Sequence, residues 1–264
     1  MADITIVMFA FFLLVDYWNS YLMTDTILEV TDLSKSFGSL KVIDDFDFHL
    51  EKGEALGIIG PNGAGKSTLF NLISGTLRAN SGIIKFDGKD ITPLSSHYRC
   101  RMGIGRSYQI PHPFSGMTVF ENVLVGGAFG SEQREVDCYE KCVQILEITG
   151  LIRKANTLAG QLTLLERKRL ELARAIATGP RVLLLDEIAG GLTEPEIQEL
   201  IYTITSIRSE NISIIWIEHI VHALMSVVER LIVINFGKKL DDGDPGSVIK
   251  SPEIQEVYMG IGVK

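Results

Sequence analysis

The sequence predicts an α/β fold: a mostly parallel sheet, an antiparallel β subdomain beside it, and an inserted α-helical subdomain. Three observations carry this. From Ile27 onward, short apolar runs alternate with helix-like stretches. Two of the runs, Ala55–Ile59 and Val182–Leu185, are apolar throughout, as strands covered on both faces are. Asp87-Gly88, following the alternating Ile84 and Phe86, is a two-residue hairpin signal that adds antiparallel ribbon.

The 264 residues suit one domain of ordinary α/β size with a subdomain inserted. At 46% hydrophobic and 22% charged, the chain has the composition of a globular protein with a substantial core. Its 25 Lys and Arg against 33 Asp and Glu leave a net charge of −8, which argues against nucleic acid as a partner. Cys100, Cys138 and Cys142 form neither a CxxC pair nor a zinc pattern, so a reducing compartment is expected.

Residues 1–22 do not belong with the rest. Ile4–Val15 reads ITIVMFAFFLLV, an apolar run of 12 residues, where a membrane span needs roughly 20. A secretory signal would carry positive charge before the run, and here only Asp3 precedes it. We expect an N-terminal extension arising from a misassigned start, with the chain proper, 23–264, beginning at Met23. A membrane-surface tail and an accessory helix are the alternatives. No apolar run elsewhere approaches membrane length.

The elements then follow in order. Phe46, Phe48 and Leu50 alternate with polar residues, as in a half-buried strand, and Lys52-Gly53-Glu54 turns the chain into the central run Ala55–Ile59. A helix-like Leu69–Ile73 comes next, then the ribbon around Asp87-Gly88. Residues from about 117 to 178 read as largely helical, with Cys138, Cys142 and Ile145 at helical spacing. Val182–Leu185 and Ile212–Ile217 are two further buried strands.

The first chemistry lies between a strand and a helix. Residues 60–68 read GPNGAGKST: Gly60, Pro61, Asn62, Gly63, Ala64, Gly65, Lys66, Ser67 and Thr68. This is G-x-x-x-x-G-K-[ST] in the strand–loop–helix setting that gives the pattern meaning. Gly63 and Gly65 let backbone N–H groups wrap a phosphate, and the following helix adds its positive end. Lys66 supplies charge for the β- and γ-phosphates, and the Ser67 hydroxyl a ligand for Mg2+. The second chemistry is Asp186-Glu187, ending the run Val182–Leu185. Beside a phosphate loop, an acid in this place holds the metal shell, and its neighbour can polarise an attacking water.

These residues resemble the ATP-binding-cassette family over about residues 25–264. GPNGAGKST and LLLLDE match its two nucleotide motifs. Gln109, in RSYQIPHPFSGMTVFENV, matches the Q-loop glutamine that senses Mg2+ and the transmembrane partner. His219 matches the switch histidine that reaches the γ-phosphate, and Phe37, in SKSFGSLKV, the aromatic that stacks on adenine. The resemblance implies a P-loop NTPase (RecA-like) core with a helical subdomain at about 110–179. It also implies ATP and Mg2+ as cofactors, transmembrane permease subunits as partners, and a peripheral station on the cytoplasmic face of the cell membrane. The Q-loop region and the ending GDPGSVIKSPEIQEVYMG look like the ATPase subunits of branched-chain amino-acid importers.

Other features read as structural. Two histidines, His219 and His222, without a third ligand are weak evidence for a metal. Cys138 and Cys142 share a helical face as small core hydrophobes, and Arg167-Lys168-Arg169 reads as a solvated helix face.

The family's signature loop, LSGGQ in its common form, is replaced here by Leu162-Thr163-Leu164-Leu165-Glu166. Thr163 keeps the hydroxyl that donates to a γ-phosphate, but Leu164 and Leu165 stand where two glycines allow close approach. Ile188 replaces the usual Pro, and Thr193-Glu194 the usual Asp-Pro. In this family ATP binds between one subunit's phosphate loop and the other's signature. The expectation is therefore a heterodimer with a second ATPase subunit rather than a homodimer. A nucleotide-dependent dimerisation switch with little hydrolysis, or a non-transport ATPase of the same family, are the alternatives. Repair relatives carry long coiled coils and translation relatives two cassettes, and this chain shows neither heptads nor a second phosphate loop.

Overall fold

A computed structural model describes residues 26–130, 133–208 and 211–259. Residues 1–22, with the expected misassigned start, lie outside the described residues.

The described residues open with an antiparallel pair, β1 (Thr26–Phe37) and β2 (Leu40–Glu51), and pass into β3 (Ala55–Ile59), buried at every position. Helix α1 (Lys66–Ile73) follows, starting three residues before the apolar stretch Leu69–Ile73 because the phosphate loop itself winds into its first turn. Strands β4 (Ser81–Phe86) and β5 (Lys89–Asp90) then form the hairpin read from Asp87-Gly88, whose two residues both have positive φ, +50° and +74°. That is the type I′ geometry whose twist matches paired strands.

Helix α2 (Ser96–Met102) leads to a short strand, β6 (Ile104–Arg106). Three longer helices follow: α3 (Val119–Gly130), α4 (Glu135–Ile148) and α5 (Leu164–Ala177). The chain re-enters the sheet at β7 (Val182–Asp186), and after α6 (Glu194–Arg208) at β8 (Ser213–Ile217). Short α7 (Val221–Met225) precedes β9 (Arg230–Asn235) and β10 (Lys238–Gly243), and α8 (Pro245–Val248) and α9 (Pro252–Met259) close the described chain.

Two sheets result. One is antiparallel, in the order β2-β1-β4-β5; the other runs β10-β9-β3-β8-β7-β6, parallel except for the edge strand β10. Strand alternation divides the core. Val182 and Leu184 face the antiparallel sheet with Phe46 and Phe70, whereas Leu183 and Leu185 face the helices with Trp216, Val123 and Leu172. A strand buried on both faces needs apolar residues along its length; β3 meets that demand throughout, and β7 does so up to its last residue, the buried Asp186. Cys138 and Cys142 are buried on one face of α4, and burial pushes the Cys142 thiol up to about 11. Strands β6, β9 and β10 carry no chemical motif that marks them in the sequence.

Candidate nucleotide site

The phosphate loop connects the C-terminal end of β3 to α1. Its glycines are demanded by packing as well as by backbone angle. A Cβ on Gly60 would lie 2.2 Å from the carbonyl oxygen of Ile234, and one on Gly65 2.7 Å from that of Val42. The loop is thus wedged between β9 and β2. Gly63 and Gly65 take φ of +80° and +111°, which L side chains resist. Gly65 caps α1 without a side chain, so no cap hydroxyl or carboxylate occupies the amides of the first turn. Those N–H groups and the aligned peptide dipoles suit an anion.

Lys66 is buried, and its Nζ donates to the carbonyls of Gly60 at 2.7 Å and Pro61 at 3.1 Å, bridging its own loop. Burial lowers its pKa, and the nearby carboxylates of Glu187 and Asp186 partly oppose that. Ser67 is exposed at the mouth of the loop. The far end of α1 is held by Arg99, a buried arginine that donates to the carbonyls of Leu72 (2.7 Å), Ile73 (2.8 Å), Thr92 (2.9 Å) and Leu94 (3.0 Å). Burial draws its pKa down to about 10.

Asp186 ends β7. Its Oδ2 accepts from Arg106 Nη2 at 2.7 Å, while its Oδ1 is buried and has no partner. Burial raises its pKa, with Arg106 opposing. Glu187 follows with φ +48°, a left-handed conformation rare outside glycine. Two other loops converge on it. His219 Nε2 lies 3.0 Å from Oε1, and the Gln109 amide donates to Oε2. The predicted residues Lys66, Gln109, Asp186, Glu187 and His219 therefore gather at one end of the parallel strands.

Phe37 is half exposed at the end of β1, opposite Leu40; two residues further on, the carbonyl of Val42 lies against the phosphate loop. Thr163 is the N-cap of α5. It forms a capping box with Glu166: the Thr163 N–H donates to the Glu166 carboxylate at 2.9 Å, and the Glu166 N–H to the Thr163 hydroxyl at 3.4 Å. Leu164 beside it is exposed, and Leu165 is buried.

Three neighbours escaped the sequence reading. Arg106 is one. Glu218 is buried, its carboxylate accepting the N–H groups of Ala189 and His219, both at 2.9 Å, so it ties the loop after Glu187 to the loop carrying the histidine. Lys168, read as part of a solvated face, is in fact buried, with Nζ 3.5 Å from the carbonyl of Glu187. A charged residue directly before His219 was the available signal for Glu218; Arg106 and Lys168 offered none, since their partners are distant in sequence.

The donor set fits a divalent cation only in part. Among the described residues no cluster of three or more His, Cys, Asp or Glu could hold a metal alone. The unpartnered Asp186 Oδ1 and the exposed Ser67 hydroxyl are hard oxygen donors that would need phosphate oxygens to complete an octahedral shell.

The family model described as "ABC transporter" matches residues 43–190. The chain is 36% identical to the high-affinity branched-chain amino acid transport ATP-binding protein BraF of Pseudomonas aeruginosa, over 90% of this chain and 99% of the relative. It is 32% identical to the lipopolysaccharide export system ATP-binding protein LptB of Haemophilus influenzae, over 89% of this chain and 98% of that one. Among solved structures, the ADP conformation of an ATP-binding cassette of an ABC transporter superposes with a TM-score of 0.82 at 29% identity, covering 89% of this chain and 99% of that chain. Agreement thus runs through fold, sequence and nucleotide loop alike, and the chain belongs to the ABC transporter family as one of its ATP-binding, ATP-hydrolysing subunits.

Proposed function

We propose that this chain powers the uptake of a small polar solute, and that the solute is a branched-chain amino acid. The observation that carries the reading is the near-full-length similarity to BraF, beside an intact phosphate loop and a carboxylate, Glu187, held by His219 and Gln109.

Lys66 and the loop amides hold the phosphates of ATP, with Phe37 against the adenine. Ser67 and Asp186 hold Mg2+, which when bound neutralises phosphate charge. Glu187 orients the attacking water and takes its proton, while Gln109 and His219 fix the carboxylate and sense the γ-phosphate. A groove between α2, β6 and the helical segment, lined by His97, Tyr108, Val125 and Arg174, takes side chains of a permease helix that lies across it. The chain then sits peripherally at the cytoplasmic face of the membrane; no described helix is long and apolar enough to cross one. The permease or an external binding component selects the solute.

We place a second ATPase subunit of different sequence opposite this one. The carboxylate of Glu166 already caps α5 and Leu164 projects beside it, so this helix start offers its partner's ATP an anion and an apolar side chain. The same observation favours a second reading, a dimerisation switch with little hydrolysis. MgATP hydrolysis and ATP-driven dimerisation of the full chain, beside Glu187→Gln, separate the two. The transport reading expects turnover within the usual enzymatic range of about 1–10³ s⁻¹ once permease and partner cassette are supplied, with ATP-dependent leucine uptake in reconstituted vesicles. A dimer that persists with no phosphate release in their presence supports the switch. Turnover without leucine uptake overturns the solute assignment alone.

A further inference from the structure

The Arg106 side chain is 8% exposed and sits among groups that account for only part of its bonding. Arginine normally meets a carboxylate with two parallel N–H bonds, covering both oxygens. Here the fork is split. Nη2 donates to Asp186 Oδ2 at 2.7 Å, but Nη1 is drawn the other way, to Asn71 Oδ1 at 2.7 Å and Ser74 Oγ at 3.3 Å. Asn71 lies in α1 and Ser74 ends it. The guanidinium is also held between rings, 5.6 Å from the centre of Phe70 and 4.9 Å from that of Tyr108. The split has one chemical result: Asp186 is fixed in orientation through one oxygen, and its other oxygen is left buried and unpartnered.

We propose that Arg106 is a positioning residue for the divalent cation of the nucleotide site. By pairing with one Asp186 oxygen it presents the other to the metal, and Asn71 keeps the guanidinium from covering both. The inference rests on the nucleotide-site reading above and is independent of which solute is carried. An outer partner of this kind sets the direction of a ligand's lone pairs, and losing it costs about 10–100-fold in metal affinity. The two substitutions act in opposite ways on the guanidinium. Arg106→Gln removes the charge that fixes Asp186. Asn71→Ala keeps the charge but removes the shorter of the two bonds that hold Nη1, leaving only Ser74 Oγ at 3.3 Å to compete with the open oxygen.

The test is Mn2+ binding to the full chain with β,γ-imido-ATP, followed by electron paramagnetic resonance, with nucleotide affinity in EDTA measured in parallel. Arg106→Gln is expected to weaken Mn2+ binding about 10–100-fold while leaving metal-free nucleotide affinity at the parent value, and Arg106→Lys to restore part of the loss. Asn71→Ala is expected to weaken Mn2+ binding severalfold, which a purely electrostatic role for Arg106 would not produce. Parent-like Mn2+ affinity in both variants overturns the proposal, as does tighter binding in Arg106→Gln, which would make Arg106 a competitor of the metal. If Arg106→Gln fails to fold, Asn71→Ala decides alone. A parent chain that binds no nucleotide at all would overturn the site reading together with this one, whereas parent nucleotide binding with unaltered Mn2+ affinity in the variants overturns this one only.

Discussion

Nε2 of His219 lies 3.0 Å from Oε1 of Glu187, with the Gln109 amide on the other oxygen, so residues from three loops far apart in sequence meet on one carboxylate. General-base participation contributes typically about 10²–10⁴-fold. Glu187→Gln should therefore lower phosphate release by that order while ATP still binds. His219→Ala should lower it as well, because the carboxylate loses one of its two anchors. Steady-state phosphate release beside equilibrium nucleotide binding checks both.

Lys66 bonds two carbonyls of its own loop. Its transfer to phosphate makes Lys66→Ala a binding variant, weakened by about 1.5–3 kcal/mol, the worth of a hydrogen bond to a charged group. Gly60→Ala tests the wedge from the other side. Its Cβ would lie 2.2 Å from the Ile234 carbonyl oxygen, and forced overpacking of this kind costs about 1–3 kcal/mol. A lowered urea midpoint together with lost ATP binding is the expected result.

Glu166→Gln removes the anion from the start of α5 while an amide can still accept from the Thr163 N–H. Faster ATP turnover by the homodimer is expected, and adding Leu164→Gly and Leu165→Gly to it should raise turnover further. The triple change carries a penalty in stability, since removal of a buried leucine side chain costs about 2–5 kcal/mol and Leu165 is buried. Turnover and urea midpoints measured on the same preparations would show the two effects together.

Acid stability follows from the helix caps. Hydrogen bonds from Thr118 hold the Glu121 carboxyl low, and those from Thr193 do the same for Glu196. Burial raises Glu166, but the Thr163 N–H and Lys154 outweigh it and the net shift is downward. A carboxyl whose pKa is lower folded than unfolded binds fewer protons in the folded state, so stability rises with pH across that interval. This stabilisation is present above about pH 4.3 and lost as pH falls through the folded values. Glu171, raised by burial despite Arg174, acts with the opposite sign in the upper carboxylate range. Thr118→Ala with Thr193→Ala should shrink the fall in urea midpoint between about pH 6 and about pH 3.

What could be read beforehand and what could not have a common cause. GPNGAGKST was legible because its chemistry needs fixed spacing along nine consecutive residues, and β3 and β7 because strands buried on both faces tolerate few polar steps. Asp186-Glu187 gained meaning from the loop. Arg106, Lys168 and Glu218 act across the fold, on Asp186, Glu187 and Ala189, and no local pattern encodes such pairings. The three Thr-x-x-Glu boxes, at Thr118, Thr163 and Thr193, are by contrast local patterns that mark helix starts in the sequence itself. At Thr163 the box makes Glu166 a working cap in place of the usual signature glutamine.

The left-handed backbone of Glu187 bears on how such a chain changes over generations. A side chain with positive φ is strained by roughly 1–2 kcal/mol, so under the proposed mechanism this position trades folding stability for the carboxylate that activates water. A lineage that ceased to need hydrolysis would gain stability by drifting to glycine there, whereas one still selected for turnover must retain the strain. A duplicated copy released from turnover is therefore expected to accept glycine at this position.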